Sequence, residues 1–159
     1  MYQYRITKYD PNFRDAAGAF TKDQWTSYSD IGSTYDNATL TEQDYLRVES
    51  AYISSAINLL RDSGINELTV SGLEQHGESS SLHNGQSIQL STISQYFQGA
   101  LREHYWCRFE SNTGAFVHFG NDYYMYVGLP SNPGNGIKSV AESGLFIEPF
   151  ASPYSQHDD

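Results

Sequence analysis

The chain has 159 residues, the size of one domain. Nineteen Asp and Glu against nine Lys and Arg leave a net charge of −10, which repels a nucleic-acid backbone. Aromatics reach 14%, more than a disordered chain carries, and no apolar run approaches the ~20 residues of a membrane helix.

Residues 2–7 alternate Tyr2, Tyr4 and Ile6 with Gln3, Arg5 and Thr7, the period of a half-buried strand. This start has neither the apolar stretch nor the cleavage site of a secretory leader, and Cys107 is the single cysteine, so a cytoplasmic protein without an internal disulfide is expected. Residues 8–38 have no period but carry Phe13, Phe20, Trp25, Tyr28 and Tyr35, which predicts an ordered loop across the core with a short helix near Asp23. Thr41-Glu42-Gln43-Asp44 opens a helix whose apolar face is Tyr45, Val48, Tyr52, Ala56 and Leu60, and Ser63-Gly64 ends it.

A strand is predicted over 65–73 and a polar, mobile loop over 74–87. A second helix, weakened by Gly99, is predicted from a Ser91 cap to about Glu103. Residues 105–110, 115–120 and 123–127 then form an antiparallel meander with turns at Ser111-Asn112-Thr113-Gly114 and Asn121-Asp122. A short amphipathic turn around Val140 precedes a last strand over 145–150. The expected fold is α+β: a mostly antiparallel sheet with two main helices packed on one face, in a single domain over 1–154, followed by a polar tail at 155–159.

Cys107 and His118 are the first pair to test for chemistry. If Glu110 pairs with Ala115 across the Asn-Thr-Gly turn, Cys107 stands opposite His118, within reach of a thiolate–imidazole pair. A lone strand cysteine otherwise serves as a small buried hydrophobe. His76, His83, His104, His118 and His157 lack zinc-site spacing, and Pro130 to Gly136 lacks the ending of a phosphate loop, so no metal and no cofactor is expected. The carboxylates, Glu49 and Glu110 among them, read as a solvated acidic surface.

An acidic surface interleaved with aromatics suits a basic protein partner: charge speeds encounter and aromatic anchors hold. The candidate partner-binding residues are Trp25, Asp30, Asp36, Asp122, Tyr124 and Tyr126. Strand alternation puts Tyr124 and Tyr126 on one sheet face and Tyr123, Met125 and Val127 on the other. The tyrosine face is either covered by the 8–38 segment or open for binding.

Three blocks carry a resemblance. They are Tyr4-Arg5-Ile6-Thr7-Lys8-Tyr9 with Trp25-Thr26-Ser27-Tyr28-Ser29-Asp30-Ile31-Gly32, the stretch Phe116 to Gly128, and Ser143-Gly144-Leu145-Phe146-Ile147-Glu148. Together they resemble immunity proteins of bacterial polymorphic and contact-dependent toxin systems. The resemblance implies an inhibitor that blocks a cognate basic toxin by direct contact. Two alternatives stand beside it: a small enzyme using Cys107 and His118, and a phage or plasmid inhibitor whose acids imitate nucleic acid.

Overall fold

The structure, a computed structural model, describes residues 1–77 and 80–155. Of the expected tail only Ser155 is described; His157 and the rest lie outside, as do residues 78 and 79 of the expected 74–87 loop. The described residues form nine strands: β1 (Tyr2–Thr7), β2 (Thr34–Tyr35), β3 (Ala38–Thr39), β4 (Glu67–Gln75), β5 (Ser87–Gln89), β6 (Tyr105–Glu110), β7 (Phe116–Phe119), β8 (Met125–Leu129) and β9 (Phe146–Pro149). Three helices accompany them: α1 (Glu42–Asp62), α2 (Ser94–Leu101) and α3 (Gly136–Glu142). Seven strands form one antiparallel sheet in the order β5-β4-β6-β7-β8-β1-β9, and β2 and β3 make a separate hairpin. The α+β architecture is as expected, with α3 as a third helix.

Cross-strand rows separate the two faces of the sheet. Tyr4, Val127, Val117, Phe109 and Val70 lie side by side on the face that joins the hydrophobic core. The next row, Arg5, Tyr126, His118, Arg108 and Ser71, lies on the other face because successive residues of a strand point oppositely. On that second face the C-terminal segment covers the sheet: Tyr126, 6% exposed, packs against Phe150 and Tyr154. Arg5 holds β9 there through Glu148, at 2.6 Å.

Thr41 caps α1 by accepting the Asp44 amide, and Tyr45, Glu49, Tyr52, Ser55, Ala56, Leu59 and Leu60, related by three- and four-residue steps, are its buried face. The expected face held Val48, which is half-buried; Glu49 is the buried neighbour. Its carboxylate accepts from Tyr45 Oη, Gln98 Nε2 and both Nε and Nη2 of Arg102, so the acid read as solvated is an internal tie between α1 and α2. Burial alone would raise its pKa, but hydrogen bonds from Arg102, Tyr45 and Gln98 hold it below the ordinary carboxylate value.

The 8–38 segment does lie against the core, through Tyr9, Trp25, Tyr28 and Ile31. Its helical turns are 3₁₀, at Pro11–Phe13 and Tyr28–Asp30, and no helix forms near Asp23. The second is fixed by a capping box: Ser27 Oγ accepts the Ser29 amide, and Asp30 accepts the Thr26 and Ser27 amides. Strand β4 runs on to Gln75, into the expected 74–87 loop and past an irregularity between Ser71 and Glu74, and β5 is a strand the sequence reading did not predict. The 80–86 stretch turns back onto β4, where Asn84 Oδ1 accepts the Leu73 amide and Leu82 is buried.

Candidate functional site

Asp36 and Asn37 both adopt positive φ, 48° and 64°, the geometry of a two-residue hairpin turn of the primed type. This turn folds β2 onto β3, with Tyr35 opposite Ala38 and Thr34 Oγ1 3.1 Å from Thr39 Oγ1. The hairpin, the strap at Asp23–Trp25 and the first turns of α1 enclose an open groove of about 310 Å³. Asp23, Asp36 and Asp44 bring carboxylates to it, Trp25 and Tyr35 aromatic surface, and Leu40 and Val48 an apolar floor. Among the described residues that line it the one cation is Arg47, 3.6 Å from Asp44 with both side chains well exposed. Three carboxylates against one guanidinium leave the groove negative, so it favours a positively charged side chain with an apolar stem.

The inner wall of the groove is held in place from behind. Trp25 packs on Tyr45 and Tyr123 with ring centroids 5.3 and 4.9 Å away. Behind them Tyr123 Oη donates to Tyr45 Oη, Tyr52 Oη donates to the Tyr123 carbonyl, and the Lys8 amide donates to Tyr52 Oη. Tyr123 itself has φ of 68°, a strained conformation for a bulky residue, and its buried ring in this cluster is what holds it there. Lys8 Nζ lies 4.1 Å from the rings of both Tyr9 and Trp25 and donates to Gln24. Burial pushes the Lys8 ammonium down to about 7, while Asp30 pulls it up and the two ring faces also attract the charged form.

Of the residues expected to bind a partner, Trp25 and Asp36 meet in this groove. Asp30 stands behind it and commits its carboxylate to the capping box. Asp122 is exposed at the β7–β8 turn, where its carbonyl accepts from Tyr9 Oη. Tyr124 is half-buried against Tyr9, and Tyr126 is covered by the C-terminal segment, so the shared face of these two tyrosines is not an open one. Asp23, Tyr35 and Asp44 were not singled out. The Asp36-Asn37 pair was the available signal, since two residues that tolerate positive φ between short β-prone segments predict a hairpin.

The thiolate–imidazole pair does not form. The turn after β6 has three residues, with Gly114 at φ 90° and the Ser111 amide donating to the Ala115 carbonyl, so Glu110 pairs with Phe116 and Arg108 with His118. Cys107 therefore points to the core face, 1% exposed, and burial pushes its thiol up to about 12. His118 lies on the opposite face, stacked on Phe116 at 4.2 Å, with Nδ1 2.7 Å from Ser152 Oγ and Nε2 3.4 Å from Glu110. This carboxylate–imidazole–hydroxyl run has the two ring nitrogens exchanged relative to a serine-hydrolase triad. His118 is fully buried and Ser152 is 7% exposed, so the run acts as a fastener for the C-terminal segment.

Among the described residues no group of three or more His, Cys, Asp or Glu is placed to hold a metal ion, and no helix is long and apolar enough to cross a membrane. No protein-family model, curated protein or solved structure matches the chain.

Proposed function

We propose that this chain is a cytoplasmic binding protein that acts as the immunity partner of a basic toxin, blocking it by direct contact through the Asp23–Asp36–Asp44 groove. The observation that carries the reading is the convergence of three carboxylates with Trp25 and Tyr35 on an open surface of a chain with net charge −10. Long-range attraction brings a cationic surface in, and the groove takes one of its Lys or Arg side chains, with the aromatic rings covering the stem. The resemblance of the three sequence blocks to toxin-immunity proteins points the same way. The enzyme alternative loses its nucleophile, because Cys107 and His118 face opposite sides of the sheet.

The test is affinity capture from the source bacterium at low and high salt, followed by association kinetics with the captured protein. A basic partner whose on-rate falls with added salt, and about tenfold in the double substitution Asp36→Asn with Asp44→Asn, supports the proposal. A partner whose on-rate ignores both salt and these substitutions discards it, and loss of binding spread evenly over dispersed acids favours the nucleic-acid mimic instead.

A further inference from the structure

Residues 10–21 follow β1, lead into the groove wall at Asp23–Trp25, and are folded on themselves. The Asp10 carboxylate accepts the Asn12 amide, and the Asp15 carboxylate accepts the amides of Ala17 and Ala19. Arg14 and Phe20 form an antiparallel bridge, and Thr21 closes the segment by donating both its amide and its hydroxyl to the Phe13 carbonyl. Among the described residues, every hydrogen bond made by this segment ends inside it, and none of its own residues is fully buried. An element with self-contained hydrogen bonds keeps them when it moves away from the body, so it can separate as a unit.

Two side chains hold the segment down. Phe20 packs on Tyr9 with ring centroids 4.9 Å apart. Arg14, whose side chain is 9% exposed, reaches the Tyr124 ring at 5.8 Å and Glu148, whose Oε1 is 3.4 Å from Nη2. That carboxylate oxygen already accepts Arg5 Nε at 2.8 Å, and Arg5 Nη2 lies 2.6 Å from it. Nε and Nη2 of Arg14 are shielded from solvent and make no hydrogen bond. The same two nitrogens of Arg102 form the edge that grips the Glu49 carboxylate. At Arg14 two guanidiniums share one carboxylate, and the edge of the second is dehydrated without an acceptor, a cost that contact with water removes.

We infer that residues 10–21 are a flap in equilibrium with an open state of the otherwise folded protein, and that rehydration of the Arg14 edge favours the open state. Opening bares the Tyr9 and Tyr124 rings, which touch at 5.5 Å, with Arg5 beside Tyr124. A covered aromatic surface with a guanidinium at its rim then becomes an exposed one. Tyr9 Oη lies 3.3 Å from the Trp25 carbonyl, so the footing of the flap adjoins the inner wall of the acidic groove. The inference rests on this packing and not on what the groove binds.

Amide hydrogen exchange of the full chain, followed by NMR at urea concentrations below the unfolding transition, tests this. The amides of Arg14, Asp15, Gly18 and Thr21 are all hydrogen-bonded within the flap. They should share one protection factor, exchange at least about a hundredfold faster than the β1 amides, and respond little to low urea. Arg14→Met keeps a long side chain on Tyr124 and removes the unpaired donors, so it should slow the flap amides about 3- to 10-fold. Phe20→Ala removes the ring contact with Tyr9 and should speed them. Flap amides as slow as those of β1, unrelated protection factors within the flap, or faster flap exchange in Arg14→Met than in the parent would each overturn the inference. The measurement on the parent protein carries the test of the flap itself even if a variant does not fold.

Discussion

The carboxylate of Glu49 lies along the Nε and Nη2 edge of Arg102, with donor distances of 2.9 and 3.1 Å, in the seam between α1 and α2. Both oxygens have a further donor, from Tyr45 and from Gln98, and the guanidinium lies 4.5 Å from the Tyr28 ring. Removing one partner leaves a charge that is 2% exposed without its counter-ion. Arg102→Met should therefore cost about 3 kcal/mol in urea unfolding, well beyond a surface pair. The carboxyl is held below its ordinary value of 4.5 in the fold, so its contribution is present above that pH and is lost as pH falls through the lowered value. An Arg102→Met protein should show a shallower loss of stability between pH 5 and 3, taken as approximate bounds; an unchanged acid limb would count against this role.

Cys107 should be chemically silent while the protein is folded. Its thiol is buried and pushed up to about 12, so at about pH 8 almost none is thiolate. A disulfide reagent should release nothing from the native protein and one equivalent after denaturation. Cys107→Ala should cost about 1 kcal/mol of stability through lost packing and leave partner binding unchanged.

Lys8 predicts a rise of stability with pH. Between its folded value of about 7 and the unfolded value of 10.5, the unfolded chain holds a proton that the folded chain lacks, so alkalinisation favours folding across that window. Above about pH 10 the buried phenols of Tyr9, Tyr52 and Tyr123 act oppositely, because burial raises them and the unfolded chain ionises first. Urea midpoints for Lys8→Met should be flatter than the parent's from about pH 7 to 9.5. Parallel curves would show that Lys8 stays protonated between its two rings.

Gly99 offers a case in which helix propensity gives the wrong sign. An alanine there would favour the helix by about 1 kcal/mol in isolation. In the fold, a Cβ would lie 2.5 Å from Tyr105 Oη, a hydroxyl anchored on the Tyr96 carbonyl at 2.6 Å. Gly99→Ala should destabilise by about 1–3 kcal/mol, and the double variant with Tyr105→Phe should recover part of it. A stabilised single variant would disprove the anchoring.

Elements with strong local signals were legible in the sequence. Thr41 and the apolar steps behind it define α1, and alternating residues define β1 and β6 to β8. Gly99 announced itself only as a helix weakener, because the ring that needs the space belongs to the next strand. The β6–β7 register was off by one residue: five residues rather than four between Glu110 and its partner change which side chain faces His118, and composition does not distinguish the two. Glu49 could not be read as buried because Arg102 is 53 residues away. At the acidic groove Trp25 and Asp36 were legible as types, but their meeting with Asp23 and Asp44 depends on a hairpin and a strap that have no apolar period.

Strand β1 lies between β8 and β9, bonded to both, although more than a hundred residues separate it from either. As the chain leaves the ribosome, the amides and carbonyls of β1 wait for partners that lie more than a hundred residues further on. The sheet therefore closes late, by a long-range step that slows folding and leaves an aromatic-rich strand edge open to other chains meanwhile. The Arg5–Glu148 ion pair, formed across that last seam, is where a slow phase of assembly should register most directly.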